Sequence, residues 1–350
     1  MTQSLAEIVG KAEPGSYIRL SPHEYCSPFL IDRPLTIVGA EDGSTVFAIE
    51  TGTIGIKVSA DTHIYGIEFR GSGKAEETAL EIVSGHVIIE KCHFSNVTLA
   101  ISIQGDGVNC EIRSCHVEQT NIGVVVKNGA NVVVKDTNIS NVTIFPLLVD
   151  GEATVEVEGC KFLDSKLAGV VVQGDSQAEF RYCEWIGSPN QPREGRLCDA
   201  QLTVVDGASV SLSECKIHDG LGCGVFVART AKADLSDCEV ARHDAAGVEA
   251  GAARIDLRRC RMLQNGGAGI LVHDDAKVCG ENLSSLANKG AGVAALRGGS
   301  FQLRASQLDE NFVGVSLAEK ANGALIHCSL KNNLNQPTLI EYGCQLDMTT

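Results

Sequence analysis

The feature that most constrains this chain is a period. A short alternating segment followed by a polar turn recurs at Cys92, Cys115, Cys160, Cys183, Cys215, Cys238, Cys260 and Cys328, with Thr137, Leu283 and Ser306 filling the gaps in the series. Ala40 and Phe69 extend the series toward the N-terminus, and ten of the twelve intervals are 22 or 23 residues. Taking each of these ruler residues as zero, positions −5 and −3 are apolar, as in Val87 and Ile89 or Val155 and Val157. Position +2 is nearly always apolar, as in Phe94, Phe162 and Trp185, and a glycine often follows at +8 or +9. Alternation with period two indicates strands, here only three to five residues long. A constant unit of such strands suits a chain that winds and stacks on itself, each unit burying the inward residues of its neighbours.

This pattern resembles the right-handed parallel β-helix, the pectin-lyase-like superfold. The resemblance implies an all-β solenoid of about 12–13 rungs forming a single domain over residues 1–350. A short N-terminal capping helix is expected over 4–12, where Ser4 and Glu7 form a capping box and Leu5, Ile8 and Val9 an apolar face. Residues 335–350, which carry Pro337, are expected to form a C-terminal cap or tail. The interval from Cys183 to Cys215 is 32 residues, which places an inserted loop at 186–200. The closest likeness in character is to the non-catalytic intracellular β-helix modules.

Composition narrows the function. The net charge of −15 argues against a nucleic-acid partner, and no apolar run is long enough to span a membrane. The N-terminus has no secretory signal pattern, so a cytoplasmic location is expected. The fourteen cysteines then read as reduced thiols stacked on an inward position rather than as a disulfide framework or a zinc site.

Four groups bear on chemistry. Asn265, Asn288, Asn311 and Asn333, all at +5, read as a structural ladder. His218, Asp219, His243 and Asp244 fall on successive rungs near one turn, where a carboxylate beside an imidazole would poise a general base. The inserted loop carries Arg193, Glu194 and Arg196 as candidate partner-binding groups. His273, Asp274 and Asp275 occupy a turn position. The catalytic patterns of the resembled families are absent: the Asp cluster with Arg of pectate lyases, the N-T-D and G-H-G of polygalacturonases, and the D-P-H-D of alginate epimerases.

The leading expectation is a non-catalytic recognition or scaffold module. It would bind a protein, or a glycan, along the rigid face and the loop, with no cofactor and no metal. The alternative is a polysaccharide lyase, hydrolase or epimerase using the His218/Asp219/His243/Asp244 turn, with calcium as its one conceivable cofactor. In that reading His243→Ala abolishes activity and leaves stability unchanged.

Overall fold

The computed structural model describes residues 5–26, 28–74, 76–187 and 200–349. One helix, Leu5–Lys11, buries Leu5 and Val9 and packs on the strand Phe29–Ile31; Ser4 of the expected capping box lies outside the described residues. Every other regular element is a strand of three to six residues. Through most of the chain each strand pairs in parallel with the third strand after it, so one coil contributes one strand to each of three faces. Face A holds His86–Glu90 and Asn109–Arg113, face B His93–Ser95 and His116–Glu118, and face C Leu99–Gln104 and Ile122–Lys127.

The chain divides into two compact units, Met1–Lys166 and Leu167–Thr350. Among the described residues the first unit has seven strands on face A, seven on face B and six on face C; the second has eight, five and eight. Face A therefore exceeds the expected rung number. Its first strand, Ser16–Arg19, precedes the ruler, and its last, Gln345–Thr349, follows it. The segment expected as a cap or tail instead makes a further coil. Gln336–Ile340 pairs with Val313–Leu317, and Gln345–Thr349 with Asn322–Ile326.

The corner between faces A and B explains the ruler. In every coil from Gly66 to His327, the residue before the ruler position sits in the left-handed region, at φ between 47° (Ala305) and 66° (Gly66). Most are not glycine, and each such conformation costs about 1 kcal/mol. The ruler side chain repays it with hydrogen bonds. Thr137 Oγ1 accepts from the Cys115 N–H of the preceding coil at 3.2 Å and donates to the Lys135 carbonyl at 2.9 Å. Ser306 Oγ does the same for Leu283 N–H (3.1 Å) and Arg304 O (2.7 Å). Cys160 Sγ takes the Thr137 N–H at 3.5 Å and donates to Glu158 O at 3.3 Å. A small side chain with one donor and one acceptor is what the corner needs, and Cys, Thr and Ser supply it. Burial pushes the Cys92 and Cys110 thiols well above the usual thiol range, which keeps them protonated. All thirteen described cysteines are free.

Inward positions at −5, −3 and +2 form the core columns. Val87, Cys110, Val132 and Val155 stack in register, and all are buried. On face B of the first unit Phe47, Phe69 and Phe94 stack ring on ring, with centroids 5.5 and 4.8 Å apart. Phe69 pairs with Phe94, so it belongs to the +2 column; the ruler residue of that coil is the buried Ile67, whose carbonyl accepts from His93 N–H at 3.0 Å.

Replacing Thr137 by the nearly isosteric valine leaves the buried Cys115 N–H without its acceptor. Thr137→Val is expected to cost about 1–3 kcal/mol, while Thr137→Cys stays within about 1 kcal/mol. Urea midpoints decide the matter: equal midpoints for the two variants would remove the hydrogen bond as the reason for the ruler chemistry.

Candidate functional site

The +5 asparagines form the expected ladder, with a fully specified geometry. Each amide nitrogen donates to the +2 carbonyl of the preceding coil: Asn265 to Val240 at 3.3 Å, Asn288 to Met262 at 3.2 Å, Asn311 to Ser285 at 2.8 Å and Asn333 to Leu308 at 3.0 Å. Each amide oxygen accepts the N–H of the +5 residue one coil earlier, at 2.9–3.1 Å. Glycines make room for these amides. A Cβ on Gly247, Gly269, Gly292 or Gly314 would lie 2.8 Å from an asparagine Nδ2.

His243 is the next member of this column, not a surface group. It is 1 % exposed, and its Nε2 donates to the Ile217 carbonyl at 3.1 Å, the bond each asparagine makes in its own coil. Its backbone N–H donates to Asn265 Oδ1, and its ring lies against Gly220 and Gly224. Nε2 must carry the proton, because its partner is a carbonyl. Nδ1 is buried with no hydrogen-bond partner among the described residues, which favours the neutral ring. Burial lowers the His243 pKa to about 4. The expected four-residue catalytic group is therefore divided: His243 faces the core, and Asp244 is exposed, its N–H on the Gly220 carbonyl.

His218 and Asp219 do meet. His218 Nδ1 lies 2.7 Å from Asp219 Oδ2, and His218 Nε2 lies 3.2 Å from Glu184 Oε1. Arg242 clasps Asp219 from the next coil, at 2.6 Å to Oδ1 and 3.0 Å to Oδ2. The Arg242 bonds, ahead of the His218 bond, hold the Asp219 pKa down to about 2. The same quartet recurs at the end of a face C strand. His273 Nδ1 is 2.7 Å from Asp274 Oδ2, His273 Nε2 is 3.1 Å from Glu249 Oε1, and Arg297 Nε is 2.5 Å from Asp274 Oδ1. In both quartets each imidazole nitrogen faces a carboxylate oxygen and the aspartate is held by an arginine. Neither leaves an unshared ring nitrogen for taking a proton from a substrate. They read as ionic clasps joining adjacent coils. Arg193, Glu194 and Arg196 lie outside the described residues.

Sequence reasoning missed two features. His93, His116 and Glu118 on face B present three ligand atoms within 4.8 Å of one another, the one group of that kind among the described residues. The other is a shallow polar trough on face A of the second unit. Its outward middle row runs Asp256, Cys279, Gln302, Ala324 and Asp347 in register. Arg258, Glu281 and Arg304 flank it on one side, Arg254, Lys277 and Ser300 on the other, and two open hollows lie along it. Small residues at Cys279 and Ala324 keep the middle row low. Among the described residues Arg254 is paired with Asp256, at 3.1 Å, while Arg258, Lys277 and Arg304 make no ion pair.

The buried imidazole gives a pH signature. The lowered folded pKa means the unfolded chain binds the extra proton first, so stability is intact above about pH 6.5 and falls as the pH drops toward 4. The loss amounts to about 2–3 kcal/mol. His243→Asn extends the asparagine column and is expected to flatten this stretch of the urea-midpoint profile. His243→Ala removes the imidazole's hydrogen bond to the Ile217 carbonyl and leaves a cavity, and costs about 2 kcal/mol at pH 7, not the neutral outcome expected from the sequence. An unaltered profile in His243→Asn would show that another group carries the acid sensitivity.

The A-module of the Azotobacter vinelandii mannuronan C-5 epimerase AlgE4 superposes with a TM-score of 0.55 at 12 % identity, covering 99 % of this chain and 93 % of that one. The periplasmic alginate epimerase AlgG gives 0.59 at 12 % identity, covering 96 % and 84 %. A chain of the Vag8–C1 inhibitor complex gives 0.56 at 10 % identity, covering 96 % and 94 %. Identities this low establish a shared fold and nothing finer. A search of curated protein sequences gives no significant match. The profile of the right-handed beta helix region matches residues 51–193 and 201–349, most of the chain, and with three parallel faces wound from one repeated coil, the protein belongs to that family.

Proposed function

We propose that this protein binds a polysaccharide along the face A trough of its second unit. The observation that carries the reading is the trough itself: a low middle row between two rows of long polar side chains, in register over successive coils. Hydroxyl-rich chains need alternating donors and acceptors along an extended path, and Asp256, Gln302 and Asp347 with Arg258, Lys277 and Arg304 offer both. The three unpaired cations add local positive charge to an acidic protein, which suits a chain that carries some carboxylate. That a mannuronan epimerase and an alginate epimerase share the coil supports a carbohydrate partner over a protein one.

Binding is favoured over cleavage. The His218 turn has its ring nitrogens committed to Asp219 and Glu184, and the second imidazole of the expected group is in the core. Calcium, the cofactor considered for a catalytic reading, prefers an all-oxygen shell, whereas the three-ligand group among the described residues contains two imidazoles.

The test is isothermal titration against alginate, pectate and neutral glucans. Saturable binding to at least one is expected, and Arg258→Ala with Arg304→Ala should raise that Kd about tenfold or more, equivalent to about 1.4 kcal/mol. Binding to none of the panel, or an unchanged Kd in the double variant, would overturn the proposal.

A further inference from the structure

We infer that His93, His116 and Glu118 form a binding site for a divalent transition ion of the zinc class on face B of the first unit. The fold builds the site from register. His93 pairs with His116 on adjacent parallel strands, which brings two imidazoles side by side, with ring centroids 5.1 Å apart. Glu118 lies two residues beyond His116, so strand alternation puts its carboxylate on the same outward face. His93 Nε2 is 3.1 Å from Glu118 Oε1, and His116 Nε2 is 3.5 Å from Glu118 Oε2. With one ligand atom from each residue, the three lie within 4.8 Å of one another, near enough for small side-chain rotations to close them around a zinc ion with bonds of about 2.0–2.1 Å.

The donor set selects the metal. Two imidazole nitrogens and one carboxylate oxygen suit zinc, nickel or copper, whereas calcium and magnesium demand oxygen. All three side chains are half-buried: held by the sheet beneath, yet open to solvent above. Three protein ligands with the remaining position open is the arrangement of a site that keeps an exchangeable water. The neighbouring coils do not compete for the ion. Glu68, in register with His93, is taken by Arg70 Nη2 at 2.7 Å, and the residue in register with His116 on the far side is the neutral Asn138. No other coil places histidine directly after its ruler residue, so the pair stands out from the turn and surface histidines elsewhere in the chain.

The experiment is titration of tag-free, chelator-treated protein with zinc sulfate, after alkylation of the exposed thiols of Cys26 and Cys279. One equivalent is expected to bind, and His116→Asn or Glu118→Gln should weaken it about tenfold or more. His86→Asn, which alters a pairing with Glu111 on face A, should leave it unchanged. Cobalt(II) in place of zinc should give the intense visible bands of tetrahedral coordination and lose them in His116→Asn. Both variants change side chains on the outward face of the sheet, so circular dichroism should match the parent. Zinc binding that survives His116→Asn undiminished, no binding at one equivalent, or equal weakening by His86→Asn would each overturn the assignment.

Discussion

Everything in this molecule depends on one backbone amide per coil. The chain turns the corner between faces A and B through a single left-handed residue, and the N–H that follows it points along the stack rather than into a strand ladder. It needs an acceptor from the next coil. The side chain in the equivalent place one coil on provides it: Thr137 for Cys115, Cys160 for Thr137 and Ser306 for Leu283. The same side chain donates back to the carbonyl two residues before it. A buried orphan amide would cost about 1–3 kcal/mol at a corner, which explains why Cys, Thr and Ser fill most of the column, with Ile67 and Leu283 as exceptions. Buried reduced thiols are the commonest solution here, and burial keeps Cys92 in the donor form.

The asparagine column solves a second corner in the same way. One amide both gives and receives across the coil boundary, with a glycine opposite to admit it. Function therefore has little room inside the coil. Inward positions are committed to closing hydrogen bonds, and chemistry is confined to outward rows, where register alone decides which side chains meet. The face A trough and the His93–His116–Glu118 group are both products of register.

Much of this was legible in the sequence because a solenoid repeats its errors and its rules alike. The spacing of Cys92, Cys115, Cys160 and Cys183 predicted the stacking, and Val87, Phe94 and Trp185 are buried where alternation placed them. Phe69 misled by two residues, because an aromatic at +2 and a small residue at zero are both apolar to a periodicity argument. His243 misled more deeply. Its neighbour in sequence is an aspartate, and the pair looks like His218–Asp219. Its offset of +5 from Cys238 was the better signal, since the next four coils carry asparagine at or beside that offset. The trio His93, His116 and Glu118 was readable in principle, as histidine at +1 in two consecutive coils with glutamate at +3. It was passed over because motif reading looks along the chain, while these contacts run across it. Residues 188–199, with the arginines of the inserted loop, contribute nothing to either judgement.

The repeating columns also carry a hazard that their exceptions resolve. A stack of near-identical coils can shift by one whole unit and still place valine on valine and thiol on thiol, so its alternative pairings are close in energy. Columns that change identity along the stack forbid this. A slip by one coil would seat Val117 where Phe94 should meet Phe69. In the second unit it would present the His243 imidazole to a position shaped for the Asn265 amide. The aromatic stack and the lone imidazole are thus the address labels of the fold: they contribute modestly to its strength and decisively to which of its many similar partners each coil chooses.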